Sequence, residues 1–317
     1  MPPLGKPLTS PRSSAPSAAA NILSSRDNRW LKQFRMALRG GLPTDSGCVG
    51  VEGVRLVEEA LRSGCRIEAV LFSESGERFR ERLAPYINPA EVRFPVLRTT
   101  DRLFEGLADT ERPQGVAALV EPRTVTLDDL LRTREDACSP LLAVLAGVQD
   151  PGNVGTILRT AAAFGATGAV TAASGQSGTA SPYSPKALRA SAGAVLHLHV
   201  LTGMSLPILL TQFRVTGVRT LATSSHDSVS SATRQLEPWE VDWCQPVALL
   251  IGNEGAGLPE EIERGADARI RIPMSSGIES LNAAAAAAVL FYEAFRQRKL
   301  PRAAAPQPDV SGKKAAT

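Results

Sequence analysis

Histidine is scarce in this 317-residue chain, with three residues, and cysteine nearly so, with four. The cysteines are Cys48, Cys65, Cys138 and Cys244, and no two stand at CxxC spacing. That argues against a zinc ribbon and a thioredoxin-like motif. Four scattered thiols in a chain this long fit a reducing, cytoplasmic setting. His197 and His199 alternate along an expected strand without an apparent third ligand, so no metal is expected. No run of 18 apolar residues exists: the nearest, 283–291, runs into Tyr292, Glu293 and Arg296. No membrane span is expected. The first 20 residues hold only Lys6 and Arg12 as charges and no apolar centre, so no secretory signal is expected either. A GK[ST] phosphate loop and a G-x-G-x-x-G dinucleotide turn are both missing from the glycine-rich segment 252–257.

What is present is ordinary globular material, 43% hydrophobic and 21% charged, with a net charge of +3. The length sets a prior of two domains. Residues 1–23 and 300–317 are rich in Pro, Ser and Ala without periodicity and read as disordered tails. Ser24 or Ser25 is placed to cap a helix over 26–40, with Trp30, Phe34 and Leu38 on one face. Segment 26–39 carries Arg26, Arg29, Lys32, Arg35 and Arg39 against one acid, Asp27, a net charge of +4. A solvated face and a polyanion-facing surface both fit that pattern. A helix over 51–63, a strand over 67–72, a helical stretch over 77–83 and strands over 92–97 and 114–120 follow. They make a small α/β domain over 24–120.

Residues 121–140 read as a linker with a short helix at 127–131. From Leu141 the pattern changes. Strands are expected over 141–148, 169–173, 196–201, 219–223, 247–251 and 268–272, and helices over 155–164, 186–192, 206–215 and 278–298. Continuously apolar strands alternating with helices predict a parallel sheet covered on both faces, over 141–299. Trp239, Trp243 and Cys244 read as packing residues. His226 sits in a Ser- and Asp-rich loop after Thr223 and reads as surface, with a place at the border of the cofactor pocket as the alternative.

Three segments stand where strands hand over to loops, the place where open parallel sheets bind ligands. The first is 149–159, with Asp150, Pro151 and Gly152 turning the chain, Asn153 placed to cap the next helix and Arg159 on what looks like a similar side. The only nearby acid for Arg159 is Asp150. The second is 249–259, with three glycines in six residues around Glu254, implying close backbone approach. The third is 270–282, where Pro273 ends a strand and Ser280 or Asn282 sits in the first turn of the last helix, followed by Ala283–Ala288.

Together the patterns N-V-G-x-x-x-R at 153–159, I-G-N-E-G-x-G-L at 251–258 and I-P-M…S-L-N at 272–282 resemble those of the SpoU (TrmH) family of RNA ribose 2′-O-methyltransferases, in the SPOUT superfamily. Val51–Ala60 and Pro113–Val116 are similar to that family's L30e-like substrate-binding domain. The resemblance implies a deep trefoil knot in the second domain and S-adenosylmethionine as cofactor, its adenosyl part against the backbone of Thr223, Gly252, Ile272 and Leu281. It assigns Arg159, Asn153, Glu254 and Asn282 to catalysis. It also implies a homodimer. RNA contacts fall to Arg29, Lys32, Arg35 and Arg159. The favoured substrate is 23S ribosomal RNA, because an L30e-like domain accompanies many ribosomal members. Transfer RNA, base methylation and a non-catalytic RNA-binding protein are the alternatives. The chain departs from the family at Ala283–Ala288, which stands where a hydroxyl-bearing stretch is usual.

Overall fold

The computed structural model describes residues 22–88, 93–132, 139–173, 178–224, 233–275 and 280–299. The tails expected over 1–23 and 300–317 lie outside the described residues but for Ile22 and Leu23, and so do Cys138 and His226.

The first sheet is built from β1 (Ile22–Leu23), β2 (Val49–Glu52), β3 (Arg66–Ser73), β4 (Val96–Thr99) and β5 (Val116–Glu121), in the order β1-β4-β3-β5-β2. It is mixed: β5 runs antiparallel to both β3 and β2, whereas β4 is parallel to β3 and β1. Its helices are α1 (Arg29–Leu38), α2 (Val54–Arg62), α3 (Arg80–Leu83) and α4 (Asp101–Glu105). α1 starts three residues later than its hydrophobic spacing predicts, because Asn28 rather than Ser24 or Ser25 is its cap; the Asn28 side chain accepts the Trp30 N–H. Leu31, Phe34, Ala37 and Leu38 then pack with Ala69, Leu71, Ala117 and Leu119 on one face of the sheet. The helix expected over 51–63 is a strand followed by a helix. Gly53 has φ +94°, which no helix tolerates, and breaks Val49–Glu52 from α2.

α5 (Leu127–Leu131) follows β5 in the chain and has the bounds expected of it, set by a Thr126–Asp129 capping box. The second sheet contains β6 (Leu141–Ala146), β7 (Gly168–Ala173), β8 (Val200–Ser205), β9 (Arg219–Thr223), β10 (Gln235–Leu236), β11 (Val247–Ile251) and β12 (Ala268–Ile270). All seven are parallel, in the order β10-β12-β9-β11-β6-β7-β8. Around them run α6 (Pro151–Ala163), α7 (Pro185–Ala190), α8 (Leu206–Thr216), α9 (Glu260–Gly265) and α10 (Ala283–Lys299).

Alternation along β6 and β11 divides the core. Leu141, Ala143 and Leu145 face a cluster with Leu158, Leu290 and Phe291, which continues into Val57 of α2 and Val120 of β5. Leu142, Val144 and Ala146 face Leu209, Phe213 and Ile262 on the other side. Both faces are therefore buried, which is why these strands read as unbroken apolar runs. Among the described residues no helix is long and apolar enough to cross a membrane.

The fold departs from the sequence expectations in the second domain as well. The strand expected from Leu196 begins at Val200, and residues 194–196 form a 3-10 turn instead. His197 therefore caps that turn and bonds Glu59 of α2 at 2.9 Å rather than lining a strand with His199. The last helix starts at Ala283 rather than 278, with Asn282 accepting the N–H groups of Ala284 and Ala285 at 2.9 and 3.3 Å.

Candidate active site

In a parallel sheet every strand delivers its following loop to one edge. β6, β11, β9 and β12 are consecutive neighbours, so the loops after them converge. Three of these loops carry the motifs singled out in the sequence, and a chain of side-chain hydrogen bonds joins them. Glu254, after β11, accepts from Asn153 Nδ2 at 2.9 Å and from the backbone N–H groups of Asp150 and Gln149 at 3.2 Å each. Asn153 Oδ1 in turn accepts from Asn282 Nδ2 at 3.2 Å. Asn153, Glu254 and Asn282 thus form one network across residues more than a hundred positions apart. Partial burial pushes the Glu254 carboxyl up, but the donors from Asn153, Gln149 and Asp150 outweigh it and hold its pKa below the ordinary carboxylate value.

Asn153 does not cap α6 as its residue type suggests. Asp150 does, accepting the Gly152 N–H at 3.2 Å, and Asn153 stands in the first turn with its side chain turned to Glu254. Nor does Arg159 share the side of Asn153. Six residues of α-helix separate two side chains by about 120° around the axis and about 9 Å along it. Arg159 is exposed and makes no hydrogen bond or ion pair with the other described residues. Asp150, the acid considered for it, is held by Lys186 at 2.5 Å.

The glycine-rich loop owes two of its glycines to its own closure. A Cβ on Gly252 would lie 2.5 Å from the Gly257 carbonyl carbon, and Gly257 has φ +68°. Asn253 organises the loop: its Oδ1 accepts the N–H groups of Gly255 and Ala256, and its Nδ2 donates to the Gly147 carbonyl at 2.9 Å. Sequence reasoning overlooked Asn253, although an Asn between glycines is a turn signal.

Thr223, Gly252 and Ile272 end or follow β9, β11 and β12, which are adjacent, with Thr223 opposite Ile270 in register. Thr223 Oγ1 donates to the Leu250 carbonyl at 3.0 Å. Ile272 is half-buried, and Leu281, beside Asn282, is 40% exposed. Apolar side chains at the mouth of a backbone-lined edge are what a purine ring would cover, so these four residues fit an adenosyl group. The basic residues of α1 are elsewhere: Arg29 and Lys32 are exposed and Arg35 half-buried, with Lys32 3.1 Å from Asp27. Among the described residues no group of three or more metal-ligating side chains comes together.

Residues 140–292 match the model of the SpoU rRNA methylase family, and residues 44–118 match an MRM3-like substrate-binding domain. An uncharacterized tRNA/rRNA methyltransferase of Synechocystis sp. is 34% identical over 276 residues, 87% of this chain and 94% of the relative. A 23S rRNA (guanosine-2′-O-)-methyltransferase, RlmB, of Ralstonia nicotianae is 30% identical over 251 residues, 78% of this chain and 95% of the relative. Among solved structures, the AdoMet-bound rRNA methyltransferase from Sinorhizobium meliloti superposes with a TM-score of 0.71 at 30% identity, covering 87% of this chain and 97% of that one.

Proposed function

Because the chain belongs to the SpoU rRNA methylase family, we propose that it transfers a methyl group from S-adenosylmethionine to a ribose 2′-hydroxyl of structured RNA, with 23S ribosomal RNA the favoured substrate. The observation that carries this reading is the Asn153–Glu254–Asn282 network at the sheet edge that also presents Thr223, Gly252, Ile272 and Leu281. A fold kept only as a scaffold has no need of that network. The reading includes residues 24–120 as the RNA-binding domain, 121–140 as the linker and 141–299 as the methyltransferase domain with its deep trefoil knot.

When bound, S-adenosylmethionine supplies an already activated methyl group on a sulfonium. The residues are left with positioning the hydroxyl and removing its proton. Arg159 is a poor base, because a guanidinium in a protein keeps its proton. Its exposed, unpaired guanidinium suits two other tasks: gripping an RNA phosphate through its fork, and stabilising negative charge as it develops on the 2′-oxygen. Glu254 is ionised at neutral pH and already accepts three donors. That favours an orienting role over proton acceptance. Arg29, Lys32 and Arg35 supply further phosphate contacts. The apolar surface of Tyr292 and Val289 on α10, 55% and 43% exposed, supports a homodimer; Phe164 packs against Tyr292 at 5.6 Å.

The test is nucleoside mass spectrometry of ribosomal and transfer RNA from cells with and without the gene. Loss of one 2′-O-methylated nucleoside from ribosomal RNA is the expected result. Its loss from transfer RNA alone corrects the substrate, a missing base-methylated nucleoside corrects the chemistry, and no change in either pool together with no S-adenosylmethionine binding overturns the reading.

A further inference from the structure

α7 lies between the candidate active site and the first domain, and nothing in the proposed mechanism uses it. α6 packs directly on it at Gly155, where a Cβ would stand 2.3 Å from the Ala187 carbonyl oxygen and 2.7 Å from the Ala190 Cβ. Near its start, Lys186 Nζ reaches Asp150 Oδ1 at 2.5 Å. The lysine stem crosses Gly152, where a Cβ would come within 3.4 Å of Lys186 Cε and 2.9 Å of Asp150 Oδ2. Asp150 is the residue that caps α6, and its own N–H donates to Glu254. The lysine and its backbone N–H partners hold the Asp150 carboxyl below its ordinary pKa. One turn further along α7, Arg189 meets Asp109 of the first domain at 2.8 Å. Asp109 is itself fixed, since its N–H donates to Glu52 Oε2 at 2.9 Å at the end of β2. Pro185 also touches the first domain, its Cδ 3.3 Å from where a Cβ on Gly41 would lie.

We propose that α7 couples the first domain to the active site and that Lys186 is a positioning residue for methyl transfer. Through Asp150 it fixes the first turn of α6, which carries Asn153, and the backbone N–H that holds Glu254. Arg189, on the same short helix, ties that arrangement to the domain that presents the RNA. The proposal rests on the function proposed above. Side chains of this pair are 61% and 44% exposed, so as an ion pair it contributes little to stability. Its effect therefore appears in turnover rather than in melting.

The experiment uses the full chain with tritiated S-adenosylmethionine and ribosomal RNA. Lys186→Met is expected to lower kcat roughly tenfold, because small misplacements of catalytic groups are expensive. Melting temperature and both KM values stay at wild-type levels, and Lys186→Arg recovers most of the loss. Asp150→Asn gives a similar loss, and combining it with Lys186→Met adds nothing further, as for two members of one ion pair. Arg189→Asp raises KM for RNA several-fold, and adding Asp109→Arg restores it. Wild-type kcat in Lys186→Met overturns the proposal. So does a raised RNA KM in that variant, which would make Lys186 a phosphate ligand, or a loss that only tracks melting. Should the wild-type protein transfer no methyl group to RNA, the function above fails instead. Amide exchange at Gly152 then still decides the clamp: it speeds up in Lys186→Met if the clamp exists and is unchanged if it does not.

Discussion

The two sheets place their chemistry in different ways. The parallel sheet sends the loops after β6, β11 and β12 to one edge, where Asn153, Glu254 and Asn282 are locked by hydrogen bonds. The mixed sheet scatters its loops to both ends, and the basic residues lie instead on the outer face of α1, where Arg29 and Lys32 point to solvent. Locked groups suit a reaction that depends on geometry. Loose charges suit a polyanion that has to be gripped from varied directions. Arg159 is the exception among the motif residues: it stands apart from that network, exposed and without a hydrogen bond or ion pair among the described residues.

That contrast can be broken at several points. The largest effect is expected at Arg159. Arg159→Lys keeps S-adenosylmethionine affinity, measured by calorimetry, but loses about 10²–10³-fold in kcat, the scale of losing one charge-stabilising donor. Normal turnover would show that the free cation is idle. Next comes Glu254→Gln, which keeps the shape but removes the charge that its donors face. A fall in kcat of roughly 10-fold to 100-fold is expected in the same assay, with melting little changed.

The pH dependence sharpens the same point. A depressed carboxyl contributes above its unfolded pKa and loses that contribution as pH falls through its folded value. Glu254 starts from an ordinary value of 4.5 and is lowered. Activity should therefore be flat from neutrality to about pH 5 as far as this group is concerned, decline only below 4.5, and lose that acid limb in Glu254→Gln. On α1, reversing Lys32 and Arg35 to Glu should weaken RNA binding and flatten its salt dependence, by about 0.7–0.9 in log–log slope for each RNA phosphate no longer neutralised. Unchanged affinity in a filter-binding titration would move the RNA to another face. The smallest effect belongs to His197→Gln, which removes a half-exposed hydrogen bond to Glu59 and should shift stability by less than about 1 kcal/mol in a denaturant melt.

Much of the second sheet was legible in the sequence because burial on both faces writes itself as apolar runs. β9 and β11 have the bounds that composition predicts, and β6 ends two residues early, at Ala146. The resemblance at 153–159, 251–258 and 272–282 pointed to side chains that do meet, all except Arg159, which stands apart. What stayed hidden has physical causes. β1 and β10 are two residues long and too short to show a period. The end of β2, Val51 and Glu52, was absorbed into a helix expected from residue 51, because the strand runs straight into α2 and only the φ of Gly53 separates them. Lys186–Asp150 spans 36 residues, and no local pattern announces such a pairing. The glycines of 252–257 imply close backbone approach without naming what approaches, and at Gly252 it is the loop's own backbone.

The hydrogen bond between Asn282 and Asn153 closes a loop of 129 residues. A pairing that distant cannot form until almost the whole chain has left the ribosome, and topologies dominated by such pairings fold slowly. The basic α1, by contrast, packs within the first 120 residues and emerges early. During its own synthesis the protein thus acquires the basic face of α1 well before the Asn153–Glu254–Asn282 network can close.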